Sequence, residues 1–273
     1  MTPEQLAERR RQLAGSWWRR RLLSLPGQIL ATPPAFRLAR EMLMQADHRV
    51  LEIGCAAGSR LLLFDQQVRF QRVSAAGVEP LPELAGRAER AFVAAARPLT
   101  AVLADPAALP FRDGVFDMAF CGDTLRFLDV RGAQALLREA ARVLKPGALL
   151  LVWELAAPDG RFGWWQRFWL RGYRGRLATQ KSLMSLAERS GFGYTREAEL
   201  RPWLWPPVPR ANFIAGTLRP GWRVEGRTLI PPDDDTPPNA EQPPTTNDSR
   251  PTTNYASVSS YAIRRPAMRS RNQ

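Results

Sequence analysis

The 273-residue sequence predicts an α/β fold: a doubly wound, mostly parallel seven-stranded sheet closed by an antiparallel terminal hairpin. Three observations predict it. Short apolar runs alternate with amphipathic segments from residue 50 to residue 190, the pattern of parallel strands covered by helices on both faces. The first run, Val50-Leu51-Glu52-Ile53, enters a turn of small residues, Gly54-Cys55-Ala56-Ala57-Gly58, that opens onto a helix. After Gly191 the alternation stops. Tyr194–Trp203 and Asn212–Leu218 follow with only the proline-rich Trp205–Pro209 stretch between them, which calls for an antiparallel hairpin at one end of the sheet.

Taken in order, Val50–Ile53, Ala76–Glu79, Thr100–Ala104, Phe116–Cys121 and Ala148–Glu154 read as the parallel strands. Ser59–Val68, Leu81–Ala95, Arg131–Val143 and Gln180–Ser190 read as the helices. Ahead of them, residues 1–25 read as a basic helix, with Leu6, Leu13, Trp17, Leu22 and Leu25 opposite Arg10, Arg11, Arg19 and Arg20, and stopped by Pro26-Gly27. Residues 36–46 read as a second helix. Three regions result: a basic N-terminal helical extension (1–40), the α/β domain (41–222) with an aromatic and basic insertion at 156–178, and a linker with a disordered tail (223–273). The tail is rich in Pro, Thr, Asn, Asp and Ser and holds few large apolar groups to offset the entropy of ordering.

Composition removes several chemistries. Two cysteines, Cys55 and Cys121, and one histidine, His48, are too few for a Cys/His zinc site, a Ser-His-Asp triad or a disulfide framework; no metal site is expected. The formal charge of +13 is uneven. Residues 1–40 hold 8 basic and 2 acidic residues, and residues 156–178 hold 5 and 1, whereas residues 41–155 hold 13 and 14. The two basic segments also carry Trp17, Trp18, Trp164, Trp165 and Trp169. Arginine with tryptophan suits contact with anionic lipid or nucleic acid. Lys145 and Lys181 are the only lysines, so compositional bias toward arginine contributes as well. No run reaches the ~18 apolar residues of a membrane span, and no secretory h-region opens the chain, so the expected location is cytoplasmic, with membrane-peripheral attachment as the alternative.

Small side chains in the 54–58 turn let the backbone approach a ligand at the carboxyl edge of the sheet; tight packing explains the same turn without one. Glu79 ends the second strand some twenty residues beyond the turn, where an acid accepts hydrogen bonds from ribose hydroxyls. Asp105 follows the third strand in Ala104-Asp105-Pro106-Ala107-Ala108-Leu109-Pro110-Phe111, placed to accept from an exocyclic amine or merely to start a turn. With Phe116–Cys121 and the Arg142-Val143-Leu144-Lys145-Pro146-Gly147 segment in series, residues 48–220 resemble the class I S-adenosylmethionine-dependent methyltransferases of the type 11 group, which includes quinone and small-molecule methyltransferases.

The resemblance implies a Rossmann-like methyltransferase fold, S-adenosylmethionine as cofactor, and roles for individual positions. Glu52, Gly54 and Gly58, with Cys55 and Ala56 in the same turn, match the motif around the methionine end. Glu79, followed by Pro80, matches the ribose acid. Asp105, Pro106 and Ala107 match the adenine contact, and Cys121 ends the strand that faces the methyl group. Two positions depart from the pattern. Ala56 stands where many members have glycine, which is tolerated if the turn keeps negative φ; Arg126 stands where histidine is common, so histidine-mediated proton transfer is unavailable.

Methyl transfer from a sulfonium needs positioning, exclusion of water and, for an oxygen or carbon acceptor, removal of a proton. Asp123, just past the fourth strand, is the candidate base or acceptor-orienting group; a helix cap or exposed loop carboxylate is the competing reading. Cys55 reads as a packing residue, having no nearby basic group to activate it. Residues 161–174 (RFGWWQRFWLRGYR) are placed to cover an acceptor pocket, as a lid or as an interfacial membrane contact; a nucleic-acid platform is the least favoured reading. The resulting expectation is methyl transfer to a small hydrophobic or lipid-like acceptor, with an anionic membrane surface as a partner through 1–25 and 161–174. An RNA methyltransferase and a methyltransferase-like scaffold without catalysis are the alternatives.

Overall fold

The computed structural model describes residues 48–67, 73–158, 163–170, 177–198, 210–225 and 228–230. The expected helices at 1–25 and 36–46, the Trp205–Pro209 stretch and the tail from 231 onward lie outside the described residues. Strands β1 (His48–Ile53), β2 (Val73–Glu79), β3 (Leu99–Leu103), β4 (Phe116–Gly122) and β5 (Leu144–Leu155) are parallel. Helices α1 (Ser59–Gln67), α2 (Pro82–Ala95) and α3 (Val130–Val143) lie along the chain between them, joined by a short 3-10 turn at Leu125–Phe127. Then come α4 (Gly163–Trp169), α5 (Gln180–Glu188), β6 (Tyr194–Glu197) and β7 (Arg210–Gly216). The sheet has seven strands in the order β3-β2-β1-β4-β5-β7-β6. β7 runs antiparallel to both β5 and β6, as the helix-free 194–218 stretch predicts.

Alternation along each strand divides the apolar residues between two cores. Leu51, Ile53, Ala119, Cys121, Leu150, Val152 and Phe213 face α3 and α5, which contribute Leu136, Leu137, Ala140, Leu183 and Ala187. Val50, Met118, Phe120, Leu151, Trp153 and Ile214 face α1 and α2, which contribute Leu61, Phe64, Ala88 and Phe92. The strands are therefore apolar on both faces, and both faces are covered. Asp129 starts α3 by accepting a hydrogen bond from Gly132 N at 2.7 Å, and Thr179 starts α5 by accepting one from Ser182 N at 3.2 Å.

β5 begins at Leu144 rather than at Ala148, because Leu144 pairs with Phe116 before a register shift carries the pairing to Met118 and Leu149. A short antiparallel pair, β8 (Arg223–Glu225) with β9 (Thr228–Ile230), occupies what the sequence reading assigns to the linker.

Candidate functional site

In this strand order the chain leaves β1 toward β2 on one side and reaches β4 on the other, so the switch point lies outside the carboxyl ends of β1 and β4. Open α/β sheets bind ligands there. The 54–58 turn connects β1 to α1 at this place. Gly54 N and Cys55 N both donate to Val78 O, at 2.8 and 3.0 Å, tying the turn to β2. Gly54 has φ +78, and a Cβ there would fall on the Thr124 hydroxyl beyond β4. Gly58 also has φ +78 and packs against Phe92 and Ala88 of α2. Both glycines are thus required by the turn and its packing.

Ala56 has φ +51. The negative φ on which its tolerance was premised is not kept, and the Cβ sits in the left-handed region at a cost of about 1–2 kcal/mol. Compensation comes from Glu79, fully buried at the end of β2, whose Oε2 accepts from Ala56 N at 3.0 Å and Oε1 from Leu81 N at 3.2 Å. Glu79 therefore holds the turn in shape. The Cys55 side chain packs against Gly77 and is 2% exposed; Cys121 is 1% exposed in the opposite core. Burial pushes both thiols up from their ordinary value, so neither is a thiolate nucleophile.

A cavity of about 500 Å³ opens at the carboxyl ends of β2 and β3, beside the start of α3. Pro80, Asp105, Pro106 and Ala107 line it together with Leu103 and Leu128. Asp105 uses Oδ1 to accept from Ala107 N at 2.9 Å, closing its own turn, and its residue is exposed to the cavity mouth. Further along the same loop, Arg142 of α3 donates to Leu109 O at 3.0 Å, Phe111 O at 2.8 Å and Asp113 Oδ1 at 2.7 Å, and pairs with Glu139.

Next to the cavity, at the switch point, lies a buried cluster of charge. Arg60, in the first turn of α1, donates Nε to Glu52 Oε1 at 2.6 Å and NH2 to Gly54 O at 2.8 Å. Its NH1 faces Asp123 Oδ2 at 3.6 Å. Arg126 NH1 meets Asp123 Oδ1 at 2.6 Å and Glu154 Oε1 at 3.5 Å, and Arg210 NH1 lies 4.0 Å from Asp123 Oδ1. Asp123 itself has φ +52 and is 6% exposed, so it is neither an exposed loop carboxylate nor a helix cap. Trp153, 5.8 Å below the Arg60 guanidinium, floors the cluster. Burial pushes the Glu52 carboxyl above its ordinary value, against the opposing pull of Arg60.

The structure thus brings Pro80, Asp105, Pro106 and Ala107 together around the cavity, and Glu52, Gly54 and Asp123 together in the charge cluster, with Ala56, Gly58 and Glu79 in the turn between. Sequence reading missed Arg60, Glu154 and Arg210. Glu154 carried a signal, a lone acid closing the apolar run Leu149–Trp153.

The strand order, with its antiparallel end hairpin, gives the chain a Rossmann-like methyltransferase fold. Residues 50–147 match the family model described as a methyltransferase domain. The chain is 47% identical over 64 residues to the demethylmenaquinone methyltransferase of Mycobacterium tuberculosis; the match spans 23% of this chain and only 26% of that relative's length. A methyltransferase from Aquifex aeolicus superposes with a TM-score of 0.55 over 80% of this chain and all of its own (100%), at 15% identity. The 4+2 cyclase SpnF superposes equally, TM-score 0.55 at 17% identity, over 68% of this chain and 81% of its own. One fold therefore serves both chemistries.

Proposed function

We propose that the protein transfers a methyl group from S-adenosylmethionine to a small hydrophobic or lipid-like acceptor. The observation that carries this reading is the pairing of an apolar cavity at the ends of β2 and β3 with a buried acidic and basic cluster at the β1/β4 switch point. The first suits a flat nucleoside base and the second the charged end of the same molecule. The residues present fit the cofactor: Asp105 has a second carboxylate oxygen available at the cavity, and Glu52 Oε2 is a buried oxygen without a hydrogen-bond partner. Bound there, S-adenosylmethionine supplies an already activated methyl carbon.

The chain's own residues then hold and orient. Leu103, Pro106 and Leu128 enclose the base, Asp105 takes its amine, and the Glu79-braced turn carries the backbone past the ribose. Asp123, with Arg60, Arg126 and Arg210 around it, orients the acceptor. The similarity to a demethylmenaquinone methyltransferase supports a hydrophobic acceptor. So does α4, where Trp164 is 65% and Phe168 54% exposed beside the exposed Arg167. An anionic membrane surface is the proposed partner of this helix and of residues 1–25. No helix among the described residues is long and apolar enough to cross a membrane.

Calorimetric titration of the full chain with S-adenosylmethionine and S-adenosylhomocysteine tests the cofactor reading. Micromolar binding that Glu79→Ala abolishes is expected; absence of binding to the parent chain refutes it and favours the scaffold alternative. Flotation with anionic vesicles, comparing the full chain with one lacking residues 1–25, tests the membrane contact, which fails if neither floats.

A further inference from the structure

The cavity is larger than the part of the cofactor that it would hold. Its volume of about 500 Å³ lies in the range that encloses a whole drug-sized ligand, whereas the cofactor reading puts a single flat base there. Neither Glu79 nor any residue of the 54–58 turn lines it, so the space over the turn, where the ribose and the methionine end belong, is not part of that volume. The surplus lies on the base side alone.

The lining shows where the surplus is. Asp105, at the end of β3, meets the base with its second carboxylate oxygen, because Oδ1 is held by Ala107 N at 2.9 Å. On the other side, α3 and its cap line the cavity from Asp129 to Ala135, nearly two turns and about 9 Å of helix. Arg131, Gly132 and Ala135, spaced i, i+1 and i+4, fall on one side of that helix. Gly132 and Ala135 put nothing larger than a methyl group into the space. Asp129 is committed to the cap, where its Oδ1 accepts from Gly132 N at 2.7 Å.

We propose that this end of the cavity is a subsite for an apolar arm on the exocyclic amine of the base, so that the site takes adenine nucleosides alkylated or benzylated at that nitrogen. The inference rests on the cofactor reading above. A single substituent leaves one N–H on the nitrogen, which keeps the hydrogen bond to Asp105 while the arm runs along α3 from Leu128 toward Ala135. Burial of the arm against Leu128, Ala135 and the aliphatic stem of Arg131 supplies its affinity.

The test is titration calorimetry on the full chain, at several temperatures, with S-adenosylhomocysteine and with the derivative benzylated on its exocyclic nitrogen. The parent chain is expected to bind the benzyl compound at least as tightly as the unsubstituted one, and up to about tenfold tighter. Its heat-capacity change should be the more negative of the two, because the ring is buried. Ala135→Phe fills the subsite and is expected to weaken the benzyl compound by at least about tenfold while leaving S-adenosylhomocysteine within about twofold. Weaker binding of the benzyl compound by the parent overturns the inference, because the arm finds no room. Equal heat-capacity changes overturn it too, because the arm then stays in water, and so does undiminished binding of the benzyl compound by Ala135→Phe. In each of these cases binding of S-adenosylhomocysteine leaves the cofactor reading standing. If neither ligand binds the parent, both fall. The parent measurements decide even if the variant does not fold.

Discussion

Replacing Ala56 by glycine removes a methyl group from a residue at φ +51 while keeping the N–H that donates to Glu79 Oε2 at 3.0 Å. Relieving the left-handed penalty gains about 1–2 kcal/mol. The added freedom of glycine in the unfolded chain returns about 0.5–1 kcal/mol of that. The net expectation for Ala56→Gly is a stabilisation of roughly 0.5–1 kcal/mol, or a melting temperature about 1–4 °C higher for a domain of this size. Ala96, the left-handed cap after α2, also has φ +51 and serves as a matched control away from the cavity. Differential scanning calorimetry of both variants should show similar gains. Titration with S-adenosylhomocysteine should show tighter binding for Ala56→Gly and unchanged binding for Ala96→Gly. A lowered melting temperature for Ala56→Gly would refute the strain assignment, and identical affinities in both variants would detach the turn from the ligand.

Gly54→Ala combines positive φ with a Cβ placed on the Thr124 hydroxyl, and is expected to cost at least about 2 kcal/mol in urea unfolding. Arg142 holds the Glu139 carboxyl below its ordinary value of 4.5 through their hydrogen bonds. Glu139 therefore contributes stability that is present above that value and lost as pH falls through its lower folded value; the acid decline in melting temperature should be shallower in Glu139→Gln. Cys55 and Cys121 should fail to react with a thiol reagent at pH 8 until denaturant is added, because both are buried and their thiols are pushed up.

Where local pattern decides structure, the sequence was sufficient. The helices at Ser59, Pro82, Val130 and Gln180 and all seven strands of the main sheet follow from periodicity and from turn residues. The fifth strand begins at Leu144, ahead of the Ala148 at which the apolar run starts, and absorbs Lys145-Pro146-Gly147 in the register shift. The β8–β9 pair escaped because its strands are three residues each, too short for a period to show. The cavity residues were legible because they sit directly after strands β2 and β3. The charge cluster was legible only in part. Glu52 and Asp123 stand at strand ends, and Arg60 meets Glu52 within the β1–turn–α1 unit, but Asp123 reaches Arg60 and Arg210 only through the β1-β4-β5-β7 neighbour order, which no local pattern encodes. Asp123 is legible by its position after β4, but its three arginine neighbours, which come from α1, the 3-10 turn and β7, are not.

The insertion of β7 between β5 and β6 constrains how the chain is made. β6 is synthesised first, but its only hydrogen-bonded neighbour in the sheet is β7, whose last residue is Gly216. During vectorial synthesis the β1-to-β5 portion can assemble while β6 waits without a pairing partner. That interval leaves the outer edge of β5 open to other nascent chains. It also places Arg210, which arrives with β7, among the last charges to be delivered, so the cluster beside Asp123 is complete only when the sheet is.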